Sequence, residues 1–391
     1  MILILYSLLG SLMAAIGIGG DDEADTETTT TSSQATTPDV DPDDAPGKDE
    51  DPFSAPASDA PDAPAAALAP GAAGDTVSIP EVGAGAYDIG WSGLSAEEQL
   101  IVELVNRARL DPEGELAYQA EGFAPGVSTA PKEALAVDAE LSQAARDHSQ
   151  DMDARNFFAH TNPDGQSPSA RAAEAGYDGG GAGENIGWIG GFSVSDTQAR
   201  ATAHHNNLWD SDGHQQNFMS SGYNEIGVGY DYGDYTYNGT TYPASTLVTE
   251  KLGNDGDTYL TGVVIDDSDG DEFYDMGEGQ GGVEITAYNA DGVHTTATWS
   301  SGGYSLKLDP GTYTVVFHGG DLDGVYETQV TIGTQNVKLD VIEDRDAIDG
   351  TVTTSVTLSA SAPANPGAEL LEELAVDIVP EPEAEEDLVL A

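Results

Sequence analysis

The stretch HNNLWDSDGHQQNFM, residues 205–219, sets His214 two residues after Asp212 and one after a glycine, where an amphipathic helix runs out. That helix begins at about Ser195 and carries Ala201, His205, Leu208 and Trp209 on one face. A turn at a helix end has no structural need of an imidazole, and the chain is sparing with them: five of its 7 histidines fall between residues 148 and 214. That clustering makes the segment the chain's candidate for chemistry.

Three more helices surround this stretch. In LSAEEQLIVELVNRARLDP (94–112), Ser95 and Glu98 form a capping-box pattern and Leu100, Ile101, Leu104, Val105 and Ala108 repeat at helical spacing. Asp111-Pro112 ends the run. In VDAELSQAARDHSQDMDARN (137–156), Leu141, Ala144, Ala145, His148 and Met152 share a face behind an Asp138 cap, so His148 reads as a core histidine. A short helix runs from Ser167-Pro168 to Gly176. EIGVGYDY (225–232) and YPASTLVTEKLG (242–253) alternate and are β-branched, as strands are. After Gly253 the period changes to two, with Asp-Gly and Asp-Pro-Gly turns, and predicts a small all-β sandwich.

Seventy Asp and Glu against 12 Lys and Arg give a net charge of −58, which excludes nucleic acid and anionic lipid as partners, because both need a positive face. Without cysteine there is neither a disulfide framework nor a thiolate metal site. Residues 1–20 carry no charge and read as an export signal or a membrane anchor, which places the acidic bulk outside the cytoplasm. Residues 21–92 read as a disordered acidic spacer and 343–391 as an acidic tail, in which only LLEELAVDIV is apolar. Between them lie an α+β block, 93–253, and the β block, 258–342.

Three polar landmarks punctuate the first block: His160 in FFAHTNPDGQSP, Glu184 in GAGENIGW and His214 in LWDSDGH. Two imidazoles and a carboxylate suit a divalent metal or acid–base work, although no pair falls at an H-E-x-x-H interval. The order of FFAHTNPDG, SPSARAAEAGY, GAGENIGW, HNNLWDSDGHQQNFM and YNEIGVGY resembles that of bacterial CAP-superfamily (SCP, cysteine-rich secretory protein-like) domains, over residues ~93 to ~253. The resemblance implies a three-layer α-β-α sandwich with an open cleft, in which His160, Glu184 and His214 take positions that bind a cation such as zinc (Zn2+) in many members. A second acidic corner, three residues after a tryptophan in animal members, falls on Asp212, one methylene short of glutamate; His205 is an alternative ligand. His204 reads as solvent-facing and Ser211 as the cap of the turn, since no G-x-S-x-G elbow surrounds it.

In the second block, DSDGDEFYDMGE (267–278) numbers as a 12-residue calcium (Ca2+) loop. Asp267, Asp269, Asp271, the Phe273 carbonyl, Asp275 and Glu278 stand at positions 1, 3, 5, 7, 9 and 12. Glu272 occupies the sixth position, normally glycine. With the GEGQGGVEITAYNADG that follows, the block resembles the calcium-stabilised B-type modules of bacterial surface adhesins, which are structural. The expectation is an exported or anchored surface protein. Its CAP-like domain binds an extracellular ligand (lipid, peptide or cell-envelope component), or alternatively acts as a metal-dependent hydrolase through His160, Glu184 and His214.

Overall fold

The computed structural model describes residues 75–83, 85–87, 89–190, 197–347 and 350–355. The hydrophobic start, most of the spacer and LLEELAVDIV lie outside the described residues. β1 (Asp75–Pro80) comes first, and the α+β block follows with α1 (Ala96–Leu110), α2 (Pro112–Glu115), β2 (Ala136–Val137), α3 (Ala139–Arg155) and α4 (Pro168–Ala175). β3 (Gly183–Ile189), α5 (Thr197–Trp209), α6 (Asp212–Phe218), β4 (Glu225–Tyr237) and β5 (Thr240–Gly253) complete it.

The helix ends sit where the capping residues put them. Ser95 Oγ accepts from Glu98 N–H at 3.2 Å while Glu98 Oε2 accepts from Ser95 N–H at 2.9 Å, a reciprocal box. Asp138 Oδ1 accepts from Leu141 N–H at the start of α3, and Ser167 Oγ from Ala170 N–H at the start of α4. The sheet runs β2-β4-β5-β3, with β3 at the edge. Gly227 and Gly229 explain how tightly α3 lies on it: a Cβ at either would come within 2.2 Å of α3 backbone nitrogens. Ile226 and Val228 face the other way, into a core with Leu104 and Val105 of α1 and Leu208 of α5. Helices thus cover both faces.

His214 does not lie where one helix runs out. α5 stops at Trp209 and a separate helix, α6, begins at Asp212, so His214 is inside it. The Gln215 amide caps the break, donating to the Trp209 carbonyl at 3.3 Å and to Gly122 O at 3.1 Å while its oxygen accepts from Ala124 N–H. Ser211 occupies the cap position but makes no side-chain cap bond, contrary to expectation.

The second block contains β6 (Tyr259–Ile265), β7 (Glu284–Tyr288), β8 (Val293–Ala297), β9 (Gly303–Lys307), β10 (Gly311–His318) and β11 (Val325–Ile332), then β12 (Val337–Lys338), β13 (Val341–Ile342), α7 (Glu343–Asp346) and β14 (Gly350–Ser355). β11-β10-β7-β8 make one four-stranded sheet; β6, with β12, β13 and β9, makes another. Leu260, Val264, Ile285, Tyr304, Val315 and Phe317 from both share one core.

Two boundaries differ from the sequence reading. β1 pairs in parallel with β14, Ile79 is buried against Val316 and Val325, and Tyr87 Oη meets Thr286 Oγ1 at 2.7 Å. The spacer therefore does not run unstructured to 92, nor does the fold stop at 342. The runs that form β1 and β14, TVSIP and TVTTS, are short and far apart in the chain, so neither reads as a strand by itself. The two blocks also share a core: Val263, Ile265, Tyr274, Trp299 and Ile342 pack with Leu100, Ile101 and Leu104. Trp299 Nε1 donates to Gln99 Oε1 at 2.8 Å, and Lys338 Nζ meets Glu103 Oε2 at 2.8 Å inside the seam.

Candidate functional site

Strand register builds a cluster of charged groups around Glu184. Glu184 on β3 stands opposite Lys251 on β5, and both side chains point to the face covered by α3 and α4. Glu184 is buried, yet both its oxygens are engaged: Oε2 by Arg171 Nη2 of α4 at 2.6 Å and Lys251 Nζ at 2.7 Å, Oε1 by His160 Nδ1 at 2.9 Å. His148 Nε2 lies 3.8 Å from Oε1 and also meets Ala159 O at 3.1 Å. Burial would raise the Glu184 carboxyl. The His160 bond and the charges of Lys251, His148 and Arg171 outweigh it and hold it down to about 2. Lys251 goes the other way, pushed down to about 8 because burial exceeds the attraction of a carboxylate it shares with Arg171.

His160 is the outer edge of this cluster, with 39% of its side chain exposed. Its Nδ1 is turned to Glu184, so the carboxylate favours the tautomer protonated there and leaves Nε2 as the ring's acceptor nitrogen. His214 reaches the same end of β3 from α6, whose backbone meets Asn185: the His214 carbonyl accepts from Asn185 Nδ2 at 3.4 Å. Burial, then the nearby His160, push its imidazole down to about 4, and its Nδ1 is buried without a partner. His160 thus touches Glu184 and lies near enough to His214 to act on its charge. Zinc does not fit this arrangement as it stands. Glu184 has no free oxygen, and among the described residues the set of three His, Asp or Glu whose ligand atoms gather within 4.8 Å is Asp267, Asp269 and Asp271.

The weaker candidates lie elsewhere. His205 is buried on α5 with Nε2 2.9 Å from Glu115 Oε1 of α2 and its ring among Trp209 and Phe218 of α6, so its partners tie α5 to α2 and α6 and lie away from Glu184. Asp212 is exposed at the first turn of α6. His204 is not solvent-facing. It is 1% exposed, with Nε2 2.7 Å from Thr246 Oγ1, because Gly187 leaves room for its ring against β3. Arg171 and Lys251 escaped the sequence reading. Their signal was available: a lysine in the buried alternation of STLVTEKLG, in a chain with 12 basic residues, has to meet a carboxylate. Glu250, facing the other side of the sheet, is fully buried with Oε1 unpartnered and Oε2 accepting from Asn185 Nδ2 at 3.1 Å. Burial pushes it up to about 8, against the lowering effect of the Asn185 bond.

The acidic loop lies against α1 and α5. Gln198 Nε2 donates to Asp275 Oδ1 at 2.6 Å, Phe273 sits under the Arg107 guanidinium at 5.0 Å and Tyr274 is buried. Asp267 accepts from Gly270 and Glu272 N–H, and Glu278 from Ser268 and Asp275 N–H, which folds the loop inward. Glu272 has φ +60°, the left-handed conformation that a glycine at the sixth position would take. Burial, then the charges of Asp269, Asp275 and Asp267 against a Phe273 N–H bond, leave Asp271 raised to about 6. A set of hard oxygens crowded to this degree fits calcium.

Residues 102–248 match the model of the CAP family, described as the cysteine-rich secretory protein family. This stretch is a CAP domain. The chain is 33% identical over 140 residues to the uncharacterized protein YkwD of Bacillus subtilis (strain 168), a match covering 36% of this chain and 44% of YkwD. The chain thus spans less than half of that relative. Similar solved structures include an extracellular protein containing a SCP domain from Bacillus anthracis str. Ames, at 22% identity, 40% of each chain and a TM-score of 0.28. Another is an outer surface protein from Borrelia burgdorferi, at 11% identity, 40% of this chain, 93% of that one and a TM-score of 0.24. His160, Glu184 and His214 fall inside the CAP domain; the second block and Lys251 lie beyond the matched residues. Among the described residues no helix is long and apolar enough to cross a membrane.

Proposed function

We propose that this is an extracellular binding protein whose CAP domain presents the His160–Glu184–His214 cleft to a ligand of the cell exterior and does not hydrolyse it. One observation carries the reading: both Glu184 oxygens are neutralised by Arg171, Lys251 and His160, so the carboxylate holds the cleft in shape and is not free for metal or proton transfer. The β block is proposed as a calcium-stabilised module of the B type, with Asp267, Asp269, Asp271, the Phe273 carbonyl, Asp275 and Glu278 as ligands. Export, to the medium or to the cell surface, is read from the uncharged residues 1–20 and the acidic composition.

The hydrolase reading has one observation in its favour, the carboxylate-favoured tautomer of His160 that leaves Nε2 as a base. Among the described residues, however, the ring's hydrogen-bond partner is Glu184 and no hydroxyl meets it. The test uses the full chain equilibrated with zinc and then desalted. Absence of stoichiometric zinc by elemental mass spectrometry and absence of casein cleavage are expected. Retention on purified envelope material, neutral lipid vesicles or a peptide mixture should be lost in His160→Glu. One equivalent of zinc that disappears in His160→Ala and His214→Ala, with zinc-dependent cleavage, would replace the binding reading by the hydrolase.

A further inference from the structure

Eight of the described Lys and Arg side chains form ion pairs with carboxylates, as a large excess of acid leads one to expect. Arg109 and Lys132 form none, and both line the same cavity, of about 380 Å³. It lies on the seam between the two blocks. Arg109 comes from the end of α1, Ser128, Lys132 and Glu133 from the segment before β2, Ser221 from the turn before β4 and Gln335 from the turn after β11.

Arg109 is fully buried, and its guanidinium is spent on carbonyls: Nε donates to Glu133 O, Nη1 to Phe218 O and Ser220 O, Nη2 to Tyr223 O. Its hydrogen bonds are thus served while no carboxylate meets its charge directly. Glu133, the acidic residue of the lining, acts on it from a distance and has Oε2 accepting from Asn336 N–H at 2.8 Å. Lys132 Nζ rests on the Ala130 carbonyl and on Ser128 Oγ at 3.3 Å. Burial, and after it the Arg109 charge, lower its basicity. Ser128 Oγ already accepts from Ala130 N–H and Lys132, so its own proton is available to donate.

We propose that this cavity is a binding site for a small phosphoryl-bearing molecule, with the Lys132 ammonium as the point contact, the Ser128 and Ser221 hydroxyls and the Gln335 amide as donors, and buried Arg109 as the positive wall. The choice of phosphoryl over carboxylate follows from the donors. The one guanidinium fork, which would hold a planar carboxylate by two parallel bonds, is used up on carbonyls. What remains is a point charge with dispersed donors, which suits a tetrahedral oxyanion. The volume falls within the range of small-molecule pockets and leaves room for an organic remainder beyond the phosphoryl group. In a chain of net charge −58, a positive cavity of this kind also selects against any anion that cannot enter it.

The test uses the full chain in calcium-free, low-salt buffer at pH 7, with inorganic phosphate, glycerol 3-phosphate, acetate and glycerol as probes. Thermal unfolding and calorimetric titration are read against matched potassium chloride. Both phosphate probes should bind and raise the melting temperature, with acetate at least tenfold weaker and glycerol silent. Lys132→Gln should weaken glycerol 3-phosphate at least tenfold and Lys132→Glu should abolish binding, while Ser221→Ala gives a smaller loss. Lys132 is partly exposed, so neither change should disturb folding; an unaltered melting temperature without probe checks this. No phosphate binding by the wild type, acetate binding as well as phosphate, or unchanged binding in Lys132→Glu would each overturn the assignment.

Discussion

Replacing Glu184 by glutamine removes one negative charge from beneath two cations and keeps the volume. In the folded chain Glu184 titrates near 2 against an ordinary 4.5, which corresponds to about 3 kcal/mol in its favour at neutral pH. Lys251 is held near 8 against 10.5, which corresponds to about 3 kcal/mol in the opposite sense. The two partners disagree because Glu184 is served by several groups whereas Lys251 shares one carboxylate. The two effects nearly cancel, so the intact cluster adds little net stability. Breaking it is another matter. Glu184→Gln leaves Lys251 and Arg171 buried without a counter-charge and should cost about 3–5 kcal/mol. Glu184→Gln with Lys251→Met, which takes out a charge of each sign, should recover at least half of that. In the wild type the Glu184 contribution is complete above pH 4.5 and is lost as pH falls through 2. Glu184→Gln removes the group that raises the Lys251 pKa, so in the variant the amine drops below the wild-type value of about 8; the deficit narrows as pH rises towards 8 and stays constant above it. Urea unfolding followed by tryptophan fluorescence at several pH values measures all of this. A pH 7 deficit below about 1 kcal/mol, or no recovery in the double variant, would mean that these charges are hydrated and that the cleft is not held by them.

Glu250→Gln should stabilise the chain at pH 8 and above and change nothing at pH 4, because a carboxyl raised to about 8 contributes fully below 4.5 and loses that contribution as pH rises through 8; equal melting temperatures across pH 4 to 9 would show Glu250 to be hydrated. Millimolar calcium should raise the unfolding midpoint of the full chain relative to chelator, by up to about 2.7 kcal/mol at a hundredfold excess over the dissociation constant, and Asp267→Ala or Glu278→Ala should erase the rise; a wild type indifferent to calcium leaves the loop merely acidic. Glu272→Gly should stabilise the calcium-free chain by about 1 kcal/mol through relief of its positive φ, since the exposed Glu272–Arg345 pair it removes is worth little; a loss of stability in a urea titration would contradict this. Trp299→Ala should lower stability by about 3–5 kcal/mol and do so in one transition, because the indole lies in the core shared by both blocks; two separate calorimetric transitions in the wild type would refute the shared core.

What the sequence disclosed of the fold was local. Ser95 with Glu98, Asp138, and Ser167 with Gly176 each act on the backbone within four residues, so their helices could be placed from the chain alone. The α5–α6 break was illegible for the same reason in reverse. The group that caps the end of α5 is the Gln215 amide, whose other partners, Gly122 and Ala124, are more than 90 residues away in the chain. β1 and β14 illustrate the limit for strands: each is a six-residue run that has meaning only beside the other, some 275 positions apart.

The cleft divides along the same line. The order of motifs singles out His160, Glu184 and His214 in the sequence. Their electrostatic state does not show there, since it depends on a β3–β5 register that sets Lys251 opposite Glu184 and on the packing of α4 that delivers Arg171. Without those cations the set reads as an acidic metal site; with them it is a compensated ion cluster whose one outward group is the His160 ring. The chemistry that remains is therefore that of His160 Nε2 and the surface around it, a single exposed imidazole on a rigid base. On the binding function proposed above, the charge of the ligand should therefore decide what this surface accepts.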